Sequence, residues 1–193
     1  MPMNRTLILT AACLLPTLAA ATGPDTPVEP LIINGCPIWP YTRCPGADLR
    51  HAELAGRNLA GADLRGADLT RADLRAANLA AANLEGAYLT AARMQKASAP
   101  AANFRHARLI GTDLEAARLM RADLSGADLT GANLEVARLN FAWLAGARLV
   151  GVNLQETKFV TVNLRGAIME GCRLRFTIFP DSDFTDCQGC PDG

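Results

Sequence analysis

Every fifth residue from Leu49 to Phe184 is apolar: of these 28 positions 21 are Leu, and the others are Met94, Ala99, Phe104, Phe159, Met169, Phe179 and Phe184. Two residues before each, from Ala47 to Ser182, 20 of 28 are Ala. A period of five fits neither the 3.6 of an α-helix nor the 2 of a flat strand. It fits a short extended piece followed by a bend. The small residue and the Leu, two apart, point the same way; the residue between them points out; the next two turn the corner. The repeat therefore predicts a chain coiled around a column of Leu over Ala. Its first rungs are Leu49, Leu54, Leu59, Leu64, Leu69, Leu74, Leu79 and Leu84. At Ala99 a core Leu is missing, and the lost volume predicts a local bend or narrowing, with Phe104 as the filler.

Glycines within residues 46–171 favour a separation of 20 over one of 15, as stacked corners that need a permissive backbone would. One coil would then take four pentapeptides. The segments A-D-L-R-G at 62–66, A-N-L-E-G at 82–86 and A-D-L-S-G at 122–126 resemble those of pentapeptide-repeat proteins. The resemblance spans 47–186 and implies an all-β fold, a right-handed quadrilateral β-helix of about seven coils. At strand spacing of about 4.8 Å per coil, such a rod would be roughly 34 Å long. No coil is stable alone, so the end coils need covers, assigned here to the segment before Ala47 and to residues 181–193.

The ends of the chain read differently from its middle. Residues 1–21 carry one positive charge, Arg5, an apolar stretch, and Ala19-Ala20-Ala21 in cleavage register, which is the pattern of a secretory signal peptide cut near Ala21. The apolar run is too short, and too interrupted by Pro16, for a membrane span. The expectation is a bacterial protein in the periplasm or secreted, without stable membrane insertion. Residues 22–46 form a Pro/Cys-rich leader and N-terminal cap, 47–186 the repeat, and 187–193 a Cys-containing tail. In an oxidising compartment Cys36 with Cys44 and Cys187 with Cys190 are candidate disulfides. Cys172, at an otherwise small inward position, reads as a buried thiol. Geometry speaks against a shared zinc site, because the two cysteine clusters would flank opposite ends of the rod.

Composition narrows the function. The chain has 19 basic and 19 acidic residues, so it offers no strong field for nucleic acid. The acidic residues Asp48, Asp63, Asp68, Asp73, Asp113, Asp123 and Asp128 recur where they can cap neighbouring backbone groups, which competes with a Ca²⁺ reading. His51 and His106 are 55 residues apart, and no catalytic constellation or phosphate loop is visible. No enzyme activity, cofactor or metal is expected.

One outward column reads Asn58, Asn78, Ser98, Arg118, Arg138, Lys158, Ile178, and Glu115 and Glu135 lie three residues before two of its arginines. The expectation is a compensated salt-bridge ladder, with a basic stripe for an acidic partner as the alternative. A neighbouring column runs through Pro100, Met120, Asn140 and Val160, with Phe141 beside it. Together with Trp143, Ile168, Phe176 and Ile178, Met120, Phe141 and Val160 make a candidate contact surface for a partner or for a homodimer through the C-terminal coils. The leading reading is an exported scaffold module that binds an unknown protein or envelope component. The alternative, drawn from the resemblance, is a DNA-mimicking protein that binds gyrase. The secretion signal disfavours it, as does an outward column holding nine carboxylates against seven bases.

Overall fold

The structure, a computed structural model, describes residues 31–191; the expected signal peptide and the first part of the leader lie outside the described residues. One backbone unit recurs along most of the chain. The Ala52 N–H donates to the Leu49 carbonyl at 3.1 Å and closes a tight turn, with His51 at φ 57°. From Tyr41 to Asp186 every fifth residue has a positive φ. Glycine serves at many of these corners, but Ala76, Ala81, Ala91, Ala101 and Ala116 adopt the same left-handed conformation. That conformation costs an L-residue about 1–2 kcal/mol. The surrounding ladder must therefore hold it.

Residues 20 apart pair in parallel, from Arg43 with Asp63 to Ile168 with Gln188. Asp68 is typical: its N–H donates to Ala47 O at 2.9 Å and its carbonyl accepts from Leu49 N–H at 2.8 Å. Four bends in each 20 residues make a four-sided coil whose faces are stacked single bridges. This ladder starts at Arg43 and ends at Gln188, slightly outside the 47–186 read from the side-chain pattern.

The interior is the predicted column. Leu49 to Leu84 have no exposed surface at any rung, and Phe104 and Phe159 are as deeply buried. Where Thr replaces Ala inside, its hydroxyl finds a carbonyl of the preceding coil: Thr112 Oγ1 donates to Leu89 O at 2.7 Å and Thr157 Oγ1 to Leu134 O at 2.6 Å. A buried hydroxyl without such a partner would be costly. The expected bend at Ala99 is not seen. Its N–H reaches Arg118 O at 2.8 Å, and the Ser98 bridges on both sides are intact. Backbone pairing between coils outweighs the missing Leu volume, and Phe104 lies fully buried one pentapeptide on.

The two ends differ. At the N-terminal end β1 (Leu31–Ile33) and β2 (Cys36–Ile38) form an antiparallel hairpin, with Ile33 opposite Cys36. Asn34 and Gly35, at φ 48° and 80°, form its two-residue turn, the residue pair that such hairpins favour. Asn34 Nδ2 donates to Asp48 O at 2.8 Å and ties the turn to the first coil. Cys36 is bonded to Cys44, and both are buried with Ile38. At the C-terminal end the inward residues Cys172, Leu174, Phe179 and Phe184 are all half-buried. Residues 181–186 are themselves the last sides of the coil, and beyond them, among the described residues, the bonded pair Cys187 and Cys190 packs against the core half-buried, so the last inward residues keep exposed surface.

Candidate interaction surfaces

The outward residue of each pentapeptide organises the surface. The Asp or Asn there accepts the backbone N–H two residues on, as Asp68 does from Thr70 (3.0 Å), Asp123 from Ser125 (2.9 Å) and Asn103 from Arg105 (2.9 Å). This local bond fixes the corner and accounts for Asp and Asn at that position. Amides also ladder between coils: Asn133 Nδ2 donates to Asp113 Oδ1 and Asn153 Nδ2 to Asn133 Oδ1, at 3.1 and 3.0 Å.

Arginine two residues after an aspartate adds a two-pronged ion pair. Arg50 holds Asp48, Arg65 holds Asp63 and Arg75 holds Asp73, with closest contacts of 2.6–2.7 Å. The hydrogen bonds from Arg50 lower the Asp48 carboxyl to about 2. Asp63 and Asp73 are shifted the same way by Arg65 and Arg75. Asp183, held by the Thr185 hydroxyl at 2.6 Å, is also lowered.

Arg118, Arg138 and Lys158 stack as bridge partners on one face, all exposed. The compensated ladder expected with Glu115 and Glu135 does not form: among the described residues none of the three cations is ion-paired. Glu135 turns instead to the preceding face, where its Oε2 accepts from Asn153 Nδ2 at 3.0 Å. The corner that follows the basic face holds a groove of about 390 Å³ lined by Pro100, Ala101, Met120, Arg121, Asn140 and Phe141.

The seven residues of the candidate contact surface do not form one patch. Met120 and Phe141 share this groove, and Val160 is one coil further on the same corner. Trp143, 57% exposed, stands on the next face between Asp123 and Asn163. Ile168 occupies the outward position on the face after that, half-buried and stacked between Arg148 and Gln188. Phe176 and Ile178 are exposed on the last coil, with Arg175 over the Phe176 ring at 4.8 Å. A 20-residue coil sends residues only a few positions apart to different sides, which a linear list of apolar residues conceals.

The cysteines are placed as their spacing indicated. Cys36 pairs with Cys44 and Cys187 with Cys190, with Cα separations of 5.7 and 5.8 Å. Cys172 is free and only half-buried, because it sits in the open last coil; its thiol donates to Leu149 O at 2.8 Å, and desolvation raises its pKa. His51 and His106 are exposed corner residues, and the His106 ring lies over Gly126, where an added Cβ would meet it at 2.5 Å.

A family model described as "Pentapeptide repeats" matches eight copies across 42–79, 67–99, 101–135, 137–171 and 158–188. The chain belongs to the pentapeptide-repeat family. Known structures in this family are right-handed quadrilateral β-helices. No curated protein sequence matches the chain. Among solved structures it is similar to HetL, a pentapeptide-repeat protein involved in heterocyst differentiation regulation from Nostoc sp. strain PCC 7120. The identity is 23%, over 77% of this chain and 85% of that one, with a TM-score of 0.49. It is also similar to QnrB1, a plasmid-mediated fluoroquinolone resistance protein, at 18% identity over 76% and 83% of the two chains, with a TM-score of 0.33. A third similar structure is a pentapeptide-repeat protein of the Arabidopsis thaliana thylakoid lumen, at 28% identity over 72% and 65%, with a TM-score of 0.28. Pentapeptide-repeat proteins are generally non-enzymatic.

What the side-chain pattern missed in this family member is the hairpin. The signal was present: Asn34-Gly35 between Leu31-Ile32-Ile33 and Cys36-Pro37-Ile38 is a strong local hairpin pattern, hidden in a segment dominated by prolines.

Proposed function

We propose that this pentapeptide-repeat protein is an exported, non-enzymatic interaction module of the cell envelope, a right-handed rod of about seven coils that works by docking. The observation that carries this reading is the contrast between its ends. The first coil lies under a disulfide-bonded hairpin, whereas Leu174, Phe179 and Phe184 of the last coil present half-buried apolar side chains. Phe159, fully buried, stacks on Phe179 at 4.8 Å, and Phe179 meets Phe184 edge-on at 5.4 Å, so Phe179 and Phe184 form a partly exposed aromatic pair at that end. Solenoid ends need covers, and a second copy of the chain would supply one.

Charge supports a second copy in particular. In the last coil Arg173 and Arg175 occupy one side and Asp181 and Asp183 the opposite side. A two-fold axis in the plane of the end would lay the basic side of each protomer on the acidic side of the other, with Ile178 meeting its own copy. Light scattering of the exported protein tests this: the expected result is twice the chain mass, reduced to a monomer by Ile178→Asp or Phe176→Asp. A monomer in every case rejects self-association. Export is tested by the mass of the mature protein, expected to begin at Thr22; retention of residues 1–21 would overturn it.

The gyrase-binding alternative calls for a surface of predominantly negative charge. Arg118, Arg138 and Lys158 make one face positive, which weighs against it. Protection of gyrase by the purified protein in a supercoiling assay would restore that alternative.

A further inference from the structure

The basic face and its trailing corner make a second surface, along the side of the rod rather than on its end and different in chemistry, although Lys158 is the bridge partner of Ile178 in the last coil. Arg118, Arg138 and Lys158 stand on successive coils, so three like charges are held in a row at a spacing of about 4.8 Å. Their nearest acidic residues by sequence lie on the corner before the face: Glu115, Glu135 and Glu156. None of these neutralises the row among the described residues, and Glu135 is engaged by Asn153. Such a row repels itself unless something acidic lies over it.

On the corner after the face is the groove of Pro100, Met120 and Phe141, with Phe141 49% exposed. Arg121 stands over the Phe141 ring at 6.0 Å, and no carboxylate among the described residues pairs with it. Asn140 lines the same groove, and its buried Oδ1 has no hydrogen-bond partner. A cation row beside an apolar groove is a binding strip with a definite chemistry.

We propose that this strip binds an acidic, extended segment of a partner protein. Its carboxylates lie along Arg118, Arg138, Lys158 and Arg121, and an aliphatic or aromatic side chain enters the groove between Met120 and Phe141. Charge complementarity selects this occupant. The strip is one short face wide, and the glutamates on the preceding corner oppose a broad polyanion such as a nucleic-acid duplex while leaving room for a single extended chain. The inference rests on the interaction-module reading but uses a different surface from the C-terminal end.

The test is fluorescence anisotropy of the full-length protein with a labelled ten-residue peptide of alternating Glu and Leu, against an alternating Lys and Leu peptide and a 20-base-pair DNA duplex. Binding of the acidic peptide alone is expected, weakened at least tenfold by Arg138→Glu and by Phe141→Ser, and weakened by salt. Both substitutions are at exposed positions. No binding of the acidic peptide at low salt, equal binding by Arg138→Glu, or tighter binding of the duplex overturns the proposal. Light scattering of the same samples reads the end-to-end contact independently. A dimer without peptide binding removes only the strip, whereas a monomer that binds the peptide removes only the end contact.

Discussion

At the N-terminal end of the rod Leu49 and Leu54 have no exposed surface, where a hairpin and the Cys36–Cys44 disulfide join the core; at the C-terminal end Leu174 and Phe179, at the same pentapeptide position, are half-buried. The side-chain repeat is looser at the C-terminal end, where Thr177, Phe179, Ser182 and Phe184 replace Ala and Leu, but the backbone bridges run from one end to the other without a gap. Burial at the ends is therefore decided by residues outside the repeat. In a solenoid each coil is stabilised by its neighbours, so an end without a cover is the least stable part and the one available for contact.

The largest effect that would sharpen this contrast comes from the core. Leu49→Ala should destabilise by about 2–5 kcal/mol, as full burial implies, and Leu174→Ala by roughly half as much. Chemical denaturation of the two variants measures both, and equal losses would mean that the last coil is covered in solution. Next in size are the disulfides. Closing the eight-residue separation of Cys36 and Cys44 is worth about 2–3 kcal/mol by chain entropy, and the three-residue separation of Cys187 and Cys190 nearer 1–2. The double Cys→Ser variants, followed by thermal melting, should rank in that order.

Glycine corners give a smaller contrast. Gly61→Ala would bring a Cβ against the Tyr41 ring as well as placing Ala at φ 65°, whereas Gly171→Ala, also at φ 65°, meets nothing within 4 Å. The second substitution should cost about 1 kcal/mol and the first more, both read from melting curves. The smallest expected effect is in acid. Asp48, Asp63 and Asp73, near the covered end, are held down chiefly by arginine hydrogen bonds, and Asp183, at the open end, by a threonine hydroxyl. Each has a lower pKa folded than unfolded, so each stabilises the fold above about pH 4, and for Asp48 that contribution disappears as the pH falls through about 2. Hydrogen exchange between pH 4 and 2 should show a greater loss of protection around Asp48 than around Asp183. Asp48→Asn should flatten that dependence.

The coil was legible in the sequence because its signal is redundant: Leu at 21 of 28 inward positions and Ala at 20 of 28 fix register, direction and core together. The hairpin was not read because a two-residue turn is signalled once, by Asn34-Gly35, amid prolines that point to extended chain. The surface was legible column by column but not pair by pair. The spacing from Glu135 to Arg138 allowed an ion pair, yet a side chain on a corner can turn to either face, and Asn153 on the next coil captured it. The bend expected at Ala99 failed for a related reason: a volume deficit at one rung is weighed against backbone bonds above and below it, which a side-chain pattern does not display.

Inward positions recur every five residues, but outward neighbours recur every 20, and the two periods respond differently to a change in chain length. Gain or loss of one pentapeptide would leave every later leucine inside while moving every later side chain a quarter-turn around the rod. The row of Arg118, Arg138 and Lys158 would be dispersed by such an event within it, and other residues would become stacked neighbours. The fold can thus redraw its exterior by insertion while its interior stays in phase, and only whole coils can be added without changing what lies above what.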